Sequence, residues 1–98
     1  MLVKVNDISG NSVRVTKLDI DDFGSVIPLR ELDLKLPQDD DSVSQILRHS
    51  LYAILFTKDD NEEDGSKVIL ARDMTMQELN EEKERTVQAV QDKRDNIK

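Results

Sequence analysis

LYAILFTKDDNEEDGSKVILAR, residues 51–72, is the stretch of sequence that decides the fold. The segment 51–57 is an apolar run that suits either the extension of a helix or a buried strand, because periodicity does not separate the two in short runs. The β-type run at 67–72 is placed to pair with it across an acidic segment. We therefore expect a strand over about residues 51–58, with a hairpin partner that follows the acidic segment.

The acidic segment DDNEEDGSK, residues 59–67, invites comparison with a calcium-binding loop. Three acidic residues occupy ligand positions one, three and five of an EF-hand loop counted from residue 60, namely Asp60, Glu62 and Asp64. The twelfth position requires a glutamate that closes the coordination sphere, and Ala71 stands there. We expect a connector whose turn is made by Asp64-Gly65, with no metal site.

Residues 2–15 are typical of a β-hairpin. Valines alternate with charged residues on both sides of a turn at Gly10-Asn11, and these two residues readily take the positive φ that a tight turn needs. The segment between the two strands is Ile8-Ser9-Gly10-Asn11, and the second strand is expected to extend through Leu18 to Ile20. This hairpin supplies two strands of the expected sheet.

A third strand and a short helix follow the hairpin. Leucines alternate with charged residues over 31–36 and stop at Pro37, which indicates a strand with one face in solvent. Asp39-Asp40-Asp41-Ser42 offers side-chain oxygens and negative charge that suit the start of a helix. Apolar residues at helical spacing come next, so we expect a helix over about residues 42–50.

The last quarter of the chain is predicted to be one long, charged helix over about residues 75–95. Thr75 is followed by Glu78 in a capping-box arrangement, and neither Gly nor Pro occurs after it. The apolar stripe is narrow. Either Met76, Leu79 and Val87 dock on the sheet while the end frays, or the helix projects and contacts a partner or another copy.

These elements predict an α+β fold with an antiparallel sheet of four to five strands, one short helix and a long charged C-terminal helix. Residues 1–73 form the compact part. Residues 74–98 form the helix, either within the same domain or projecting from it. The expected core residues are Val3, Val5, Val13, Val15, Leu32, Leu34, Leu36, Val43, Ile46, Leu47, Ile54, Phe56, Ile69 and Met76.

Composition narrows the possible partners. The 98 residues carry a net charge of −7 and no cysteine, so phosphate repulsion argues against nucleic acid, and disulfides and thiolate chemistry are excluded. The longest apolar run is too short to span a bilayer and no signal peptide is visible, so no membrane partner is expected. The expected location of this small, soluble protein is cytoplasmic, meaning the host cytoplasm or the virion if the chain is viral.

The sequence contains no recognisable catalytic arrangement. His49 is the single histidine, and no nucleophile pattern accompanies it. The three glycines stand alone in turns and form no phosphate-binding loop. We expect a protein that is not an enzyme and that holds no cofactor.

Net acidity without catalytic residues favours a protein-binding role. The leading hypothesis is a non-enzymatic acidic module, inhibitor, immunity or antitoxin-like, that docks on a basic partner surface. The alternative is a structural component of an oligomeric assembly, such as a small virion or phage-tail protein, with contacts through hairpin edges and the C-terminal helix. The predicted partner-binding residues are Asp59, Asp60, Glu62, Glu63, Asp64, Val87, Val90 and Ile97.

Overall fold

Five antiparallel strands and two α-helices make up residues 1–95, which are the residues that the computed structural model describes, with side chains described through Asp92. The elements in chain order are β1 (Leu2–Ser9), β2 (Ser12–Ile20), β3 (Val26–Lys35), α1 (Ser42–Arg48), β4 (Tyr52–Thr57), β5 (Val68–Met74) and α2 (Met76–Asp95). The expected α+β fold is confirmed. The ambiguous apolar run at 51–57 is a strand.

The strands form a Greek key. Their spatial order is β3-β2-β1-β4-β5, so three strands joined by hairpins are followed by a fourth that returns beside the first. That return passes through α1. Strand β1 is therefore central, with Val5 opposite Val15 of β2 and Val3 opposite Ala53 of β4.

The sheet curls until its two edges meet. The amide of Gly65 donates to the Asp33 carbonyl oxygen at 2.7 Å, the amide of Lys35 donates to the Ser66 carbonyl oxygen at 2.9 Å, and the Asp64 carboxylate accepts from the Asp33 amide at 2.9 Å. We call these contacts the seam. They make the sheet a partly open five-stranded Greek-key barrel, the architecture of the OB-fold, which by itself assigns no function.

The barrel interior is filled by aliphatic side chains from all five strands and from α1. Within α1, Val43 and Leu47 face this interior. The twelve residues of the buried cluster are Val3, Val13, Val15, Leu32, Leu34, Leu36, Val43, Leu47, Ala53, Leu55, Val68 and Ala71. Val5 and Ile46, also expected in the core, are half-buried and pack against it.

Four residues expected in the core lie elsewhere. Phe56, Ile69 and Met76 are exposed, and Ile54 is half-buried. In β4 the inward positions belong to the neighbouring residues Ala53 and Leu55, and alternation along a strand then turns the larger side chains outward. Large apolar residues occupy both sets of alternating positions in β4. The sequence pattern therefore does not show which face of the strand is buried.

The two helices begin with different caps. At α1, Asp41 makes no side-chain cap bond, and the Asp40 carboxylate instead accepts from the Ser42 amide at 2.9 Å. Hydrogen bonds from Ser42 lower the pKa of Asp40. At α2, the hydroxyl oxygen of Thr75 accepts from the Glu78 amide at 3.2 Å, as the capping-box pattern predicts.

Helix α2 lies on the outside of the barrel. Its one buried side chain within the described residues is Leu79, which, like Leu18 and Met74, is buried outside the main core cluster. Further along, Val87 meets the turn between β2 and β3: a Cβ placed on Gly24 would lie 3.0 Å from Cγ2 of Val87. The helix is therefore held along a narrow stripe.

Candidate functional site

An apolar surface covers the outer side of the β4–β5 hairpin. Phe56 stands directly opposite Leu70, and Ile69 occupies the bulge beside them. Their exposed fractions are 44%, 55% and 55% for Phe56, Ile69 and Leu70. We call these three residues the hairpin face. Large apolar side chains grouped on a surface mark interaction sites more often than single ones do.

An acidic turn adjoins the hairpin face. Asp59 and Asp60 end a single 3₁₀ turn, Lys58–Asp60, that follows β4, and both are exposed. Their φ angles are +59° and +54°, a left-handed conformation that aspartate tolerates better than most residues. The Lys58 amide donates to the Lys67 carbonyl oxygen at 2.9 Å, which ties the start of this turn to β5. We call Asp59-Asp60 the acidic turn.

Glu62 takes part in internal contacts instead of facing solvent freely. Its carboxylate forms an ion pair with the Lys17 ammonium, and the Arg30 guanidinium donates to its carbonyl oxygen. The hydrogen bond from Lys17 lowers the pKa of Glu62, with help from the nearby positive charges and against the opposing effect of burial. The residue therefore holds the acidic segment against β2 and β3.

The remaining two acidic residues of the segment differ from each other. The Asp64 carboxylate belongs to the seam, where it accepts from the Asp33 amide. Glu63 has an exposed side chain, and its amide donates to the Ser66 hydroxyl oxygen at 3.2 Å. Of the five predicted acidic residues, Asp59, Asp60, Glu63 and Asp64 are exposed and Glu62 is half-buried, and Asp64 is the exposed one whose carboxylate accepts a hydrogen bond from the described chain.

The predicted partner-binding residues of α2 lie apart from the acidic turn. Val87 and Val90 are half-buried, and Ile97 lies outside the described residues. The acidic segment approaches α2 at Glu62, which lines a cleft of about 500 Å³ together with Glu82 and Thr86. The structure therefore separates the predicted set into a hairpin part and a helix part.

Phe23 is an exposed aromatic residue that the sequence analysis did not single out. It is 82% exposed at the turn between β2 and β3. With Gly24, Val87 and Gln88 it lines a shallow cavity of about 370 Å³. An aromatic residue between Asp22 and Gly24, inside a turn sequence, was the available signal, because turns lie on the surface.

Within residues 1–95, no group of three or more His, Cys, Asp or Glu side chains is arranged to hold a metal ion. The acidic stretches at 19–22, 39–41 and 59–64 therefore do not converge into such a site in the part of the chain that is described. His49 is exposed at the end of α1. No helix among the described residues is long and apolar enough to cross a membrane.

Comparisons with protein-family models, curated proteins and solved structures find no match to this chain. The candidate site therefore rests on the geometry of the hairpin face and the acidic turn.

Proposed function

We propose that the chain is a non-enzymatic protein-binding module that docks through the hairpin face and the acidic turn. The observation that carries the proposal is the group of exposed apolar side chains, Phe56, Ile69 and Leu70, beside the exposed carboxylates of Asp59 and Asp60. The partner surface that fits is an apolar pocket bordered by lysine or arginine.

The hairpin face supplies the affinity in this proposal. Full burial of one large apolar side chain is worth about 1.5–3 kcal/mol, and interface energy concentrates in a few such anchors. Phe56 and Leu70 stand on paired strands, so little conformational freedom is lost when they are covered. A rigid anchor of this kind suits an inhibitor, immunity or antitoxin-like protein.

The acidic turn supplies orientation and association rate. A net charge of −7 attracts a basic partner at long range, and the carboxylates nearest the apolar anchor set the docking direction. Asp59 and Asp60 are adjacent like charges, and a basic rim on the partner relieves their repulsion. Association is therefore expected to slow as salt is added.

Capture of partners on immobilised protein, followed by mass spectrometry, tests the proposal. The double variant Phe56→Ser/Leu70→Ser removes the anchor, and we expect at least about tenfold weaker capture of the specific partner. Phe23→Ser is the matched control, because it removes an exposed aromatic residue outside the hairpin face. Equal capture by wild type and the double variant would contradict the proposal.

The charge component needs its own pair of variants. Asp59→Asn/Asp60→Asn keeps side chains that tolerate the left-handed conformation and removes two charges. Asp39→Asn/Glu84→Gln removes two charges from other exposed positions. We expect the first pair to slow association more than the second, as measured by surface plasmon resonance at low salt.

The second candidate function is a structural part of an assembly, favoured by the exposed Phe23 beside α2. A shallow cavity next to an exposed aromatic ring suits insertion of the same ring from another copy. Light scattering over a range of concentrations distinguishes this function. A defined oligomer that Phe23→Ala dissociates supports assembly, and a monomer at all concentrations contradicts it.

A further inference from the structure

Two lysine side chains lie next to each other where the seam meets β5. Lys35 is the last residue of β3, Lys67 immediately precedes β5, and the two form a parallel bridge. Bridged residues on neighbouring strands lie about 4.8 Å apart in their backbones and direct their side chains to the same side of the sheet. Both lysines are exposed.

Backbone hydrogen bonds fix this neighbourhood. The Lys35 amide donates to the Ser66 carbonyl oxygen at 2.9 Å, and the Lys67 carbonyl oxygen accepts from the Lys58 amide at 2.9 Å. Closing the barrel therefore places the two lysines side by side in the backbone, whichever rotamers their side chains adopt. Their mutual repulsion is a consequence of the fold.

Neither ammonium group forms an ion pair with a described residue. Four cationic side chains elsewhere in residues 1–92 do so, namely Arg14, Lys17, Arg72 and Arg85. The chain contains 21 acidic residues and 14 lysines and arginines, so carboxylates are abundant. Of the eleven lysines and arginines in residues 1–92, the four named above form ion pairs, and Lys35 and Lys67 are among the seven that do not.

The two lysines line an open cleft of about 610 Å³. The other lining residues come from the β1–β2 turn and the segment after β3, namely Asn11, Ser12, Leu36, Gln38 and Asp39. The side-chain amides of Asn11 and Gln38 make no hydrogen bond with the described part of the chain, so each offers a donor. Asp39 is the carboxylate of the lining, and it lies beyond ion-pair distance of both lysines.

We propose that this cleft binds a small oxyanion of the phosphate type. Two ammonium groups on the same side of the bridge match an anion that carries two negative charges and several acceptor oxygens. Binding relieves the repulsion between Lys35 and Lys67, and the amides of Asn11 and Gln38 reach the remaining oxygens. Pyrophosphate, with more charge and more oxygens, binds more tightly than inorganic phosphate.

Titration of the ¹⁵N-labelled protein with inorganic phosphate and with pyrophosphate, at constant ionic strength set by sodium chloride, tests this proposal. We expect saturable shifts of the amide signals of Asn11, Ser12, Lys35 and Lys67. Lys35→Gln and Lys67→Gln should each weaken pyrophosphate binding about tenfold. Lys4→Gln removes the same charge from an exposed position of β1 outside the cleft lining, and it should change pyrophosphate affinity by less than about twofold.

Three results would overturn the proposal. They are an absence of saturable shifts in the wild-type titration, equal weakening by Lys4→Gln, and shifts that lie outside the cleft. The wild-type titration decides the first of these without any variant. The cleft uses residues other than those of the hairpin face, so its failure leaves the proposed partner binding untouched.

Discussion

Gly24 is the residue at which the β2–β3 turn touches α2. Its φ of +79° belongs to the left-handed region, and a Cβ there would lie 3.0 Å from Cγ2 of Val87. Gly10 also has a positive φ, +57°, but nothing lies within 4 Å of its virtual Cβ. The two glycines therefore share a backbone requirement and differ in packing.

Replacement of these glycines by alanine separates the two effects. We expect Gly10→Ala to lower the free energy of unfolding by about 1 kcal/mol, through the left-handed conformation alone. Gly24→Ala should cost about 2 kcal/mol, because the added methyl group also displaces Val87. Urea denaturation followed by circular dichroism measures both losses of unfolding free energy. We expect the double variant Gly24→Ala/Val87→Ala to regain the additional loss that Gly24→Ala shows over Gly10→Ala. Equal losses for the two single variants would contradict the packing contribution.

The Lys17–Glu62 ion pair makes stability depend on pH. Because the folded state lowers the pKa of Glu62 below its ordinary value of 4.5, its contribution is present above that pH and is lost as the pH falls through the folded value. We expect Glu62→Gln to lower the free energy of unfolding by about 0.5–1 kcal/mol at pH 7, a size typical of a partly exposed pair, and by less at pH 3. Urea denaturation at both pH values measures the change.

Glu84→Gln is the control for Glu62→Gln, because Glu84 is an exposed glutamate of α2 without an ion pair in residues 1–92. It should leave the pH dependence of stability close to that of the wild type. A loss for Glu62→Gln that persists unchanged at pH 3 would show that the carboxylate charge is not the cause.

At the scale of elements, the seam joins β3 to the segment before β5 through few contacts. We therefore expect each contact to contribute measurably to the free energy of unfolding. Asp64→Ala removes the acceptor of the Asp33 amide, and we expect a loss of about 1 kcal/mol with about five- to tenfold faster hydrogen exchange at that amide. Glu63→Ala, one residue away and with an exposed side chain, should change neither. Unchanged exchange at Asp33 in Asp64→Ala would contradict the role of this bond.

Local patterns predicted the elements well because their determinants are local. The turn at Gly10-Asn11 produced the first hairpin, and helix α2 was expected over 75–95 and spans Met76–Asp95. The face of β4 was predicted wrongly, since Ile54 and Phe56 are larger and more apolar than Ala53 yet point outward. Which alternate set of β4 side chains points inward is decided by the pairing with β1 and β5, and the apolar run itself carries no signal for it.

At the scale of the whole molecule, seven excess negative charges repel one another. Raising the sodium chloride concentration from 10 to 100 mM shortens the screening length from about 30 to about 10 Å. We expect the free energy of unfolding to rise by about 0.5 kcal/mol at pH 7, which raises the melting temperature by roughly 2–4 °C. Near pH 4.6, the isoelectric point of the sequence, the gain should vanish or reverse, because screening then acts mainly on the favourable pairs. Thermal denaturation under the four conditions measures this effect.

The sequence alone did not predict that the barrel closes or which residues form the candidate site. Asp33 and Asp64 are separated by 31 positions, and nothing in either neighbourhood indicates that they meet. For the same reason the acidic segment was predicted as a connector with partner-binding carboxylates, and the contacts of Glu62 with Lys17 and of Asp64 with the Asp33 amide were not foreseen. The exposed group of Phe56 and Leu70 emerges only once the pairing register is known.

The seam also controls chemical ageing at Asp64-Gly65. In such a dipeptide the glycine nitrogen attacks the aspartate Cγ, water is lost, and hydrolysis of the cyclic imide leaves isoaspartate. Here the Gly65 amide is engaged by the Asp33 carbonyl oxygen at 2.7 Å and the Asp64 carboxylate by the Asp33 amide, so both reacting groups are held. We expect isoaspartate to form in molecules whose seam has opened. Its amount in a stored sample then increases with the fraction of time that the seam is open.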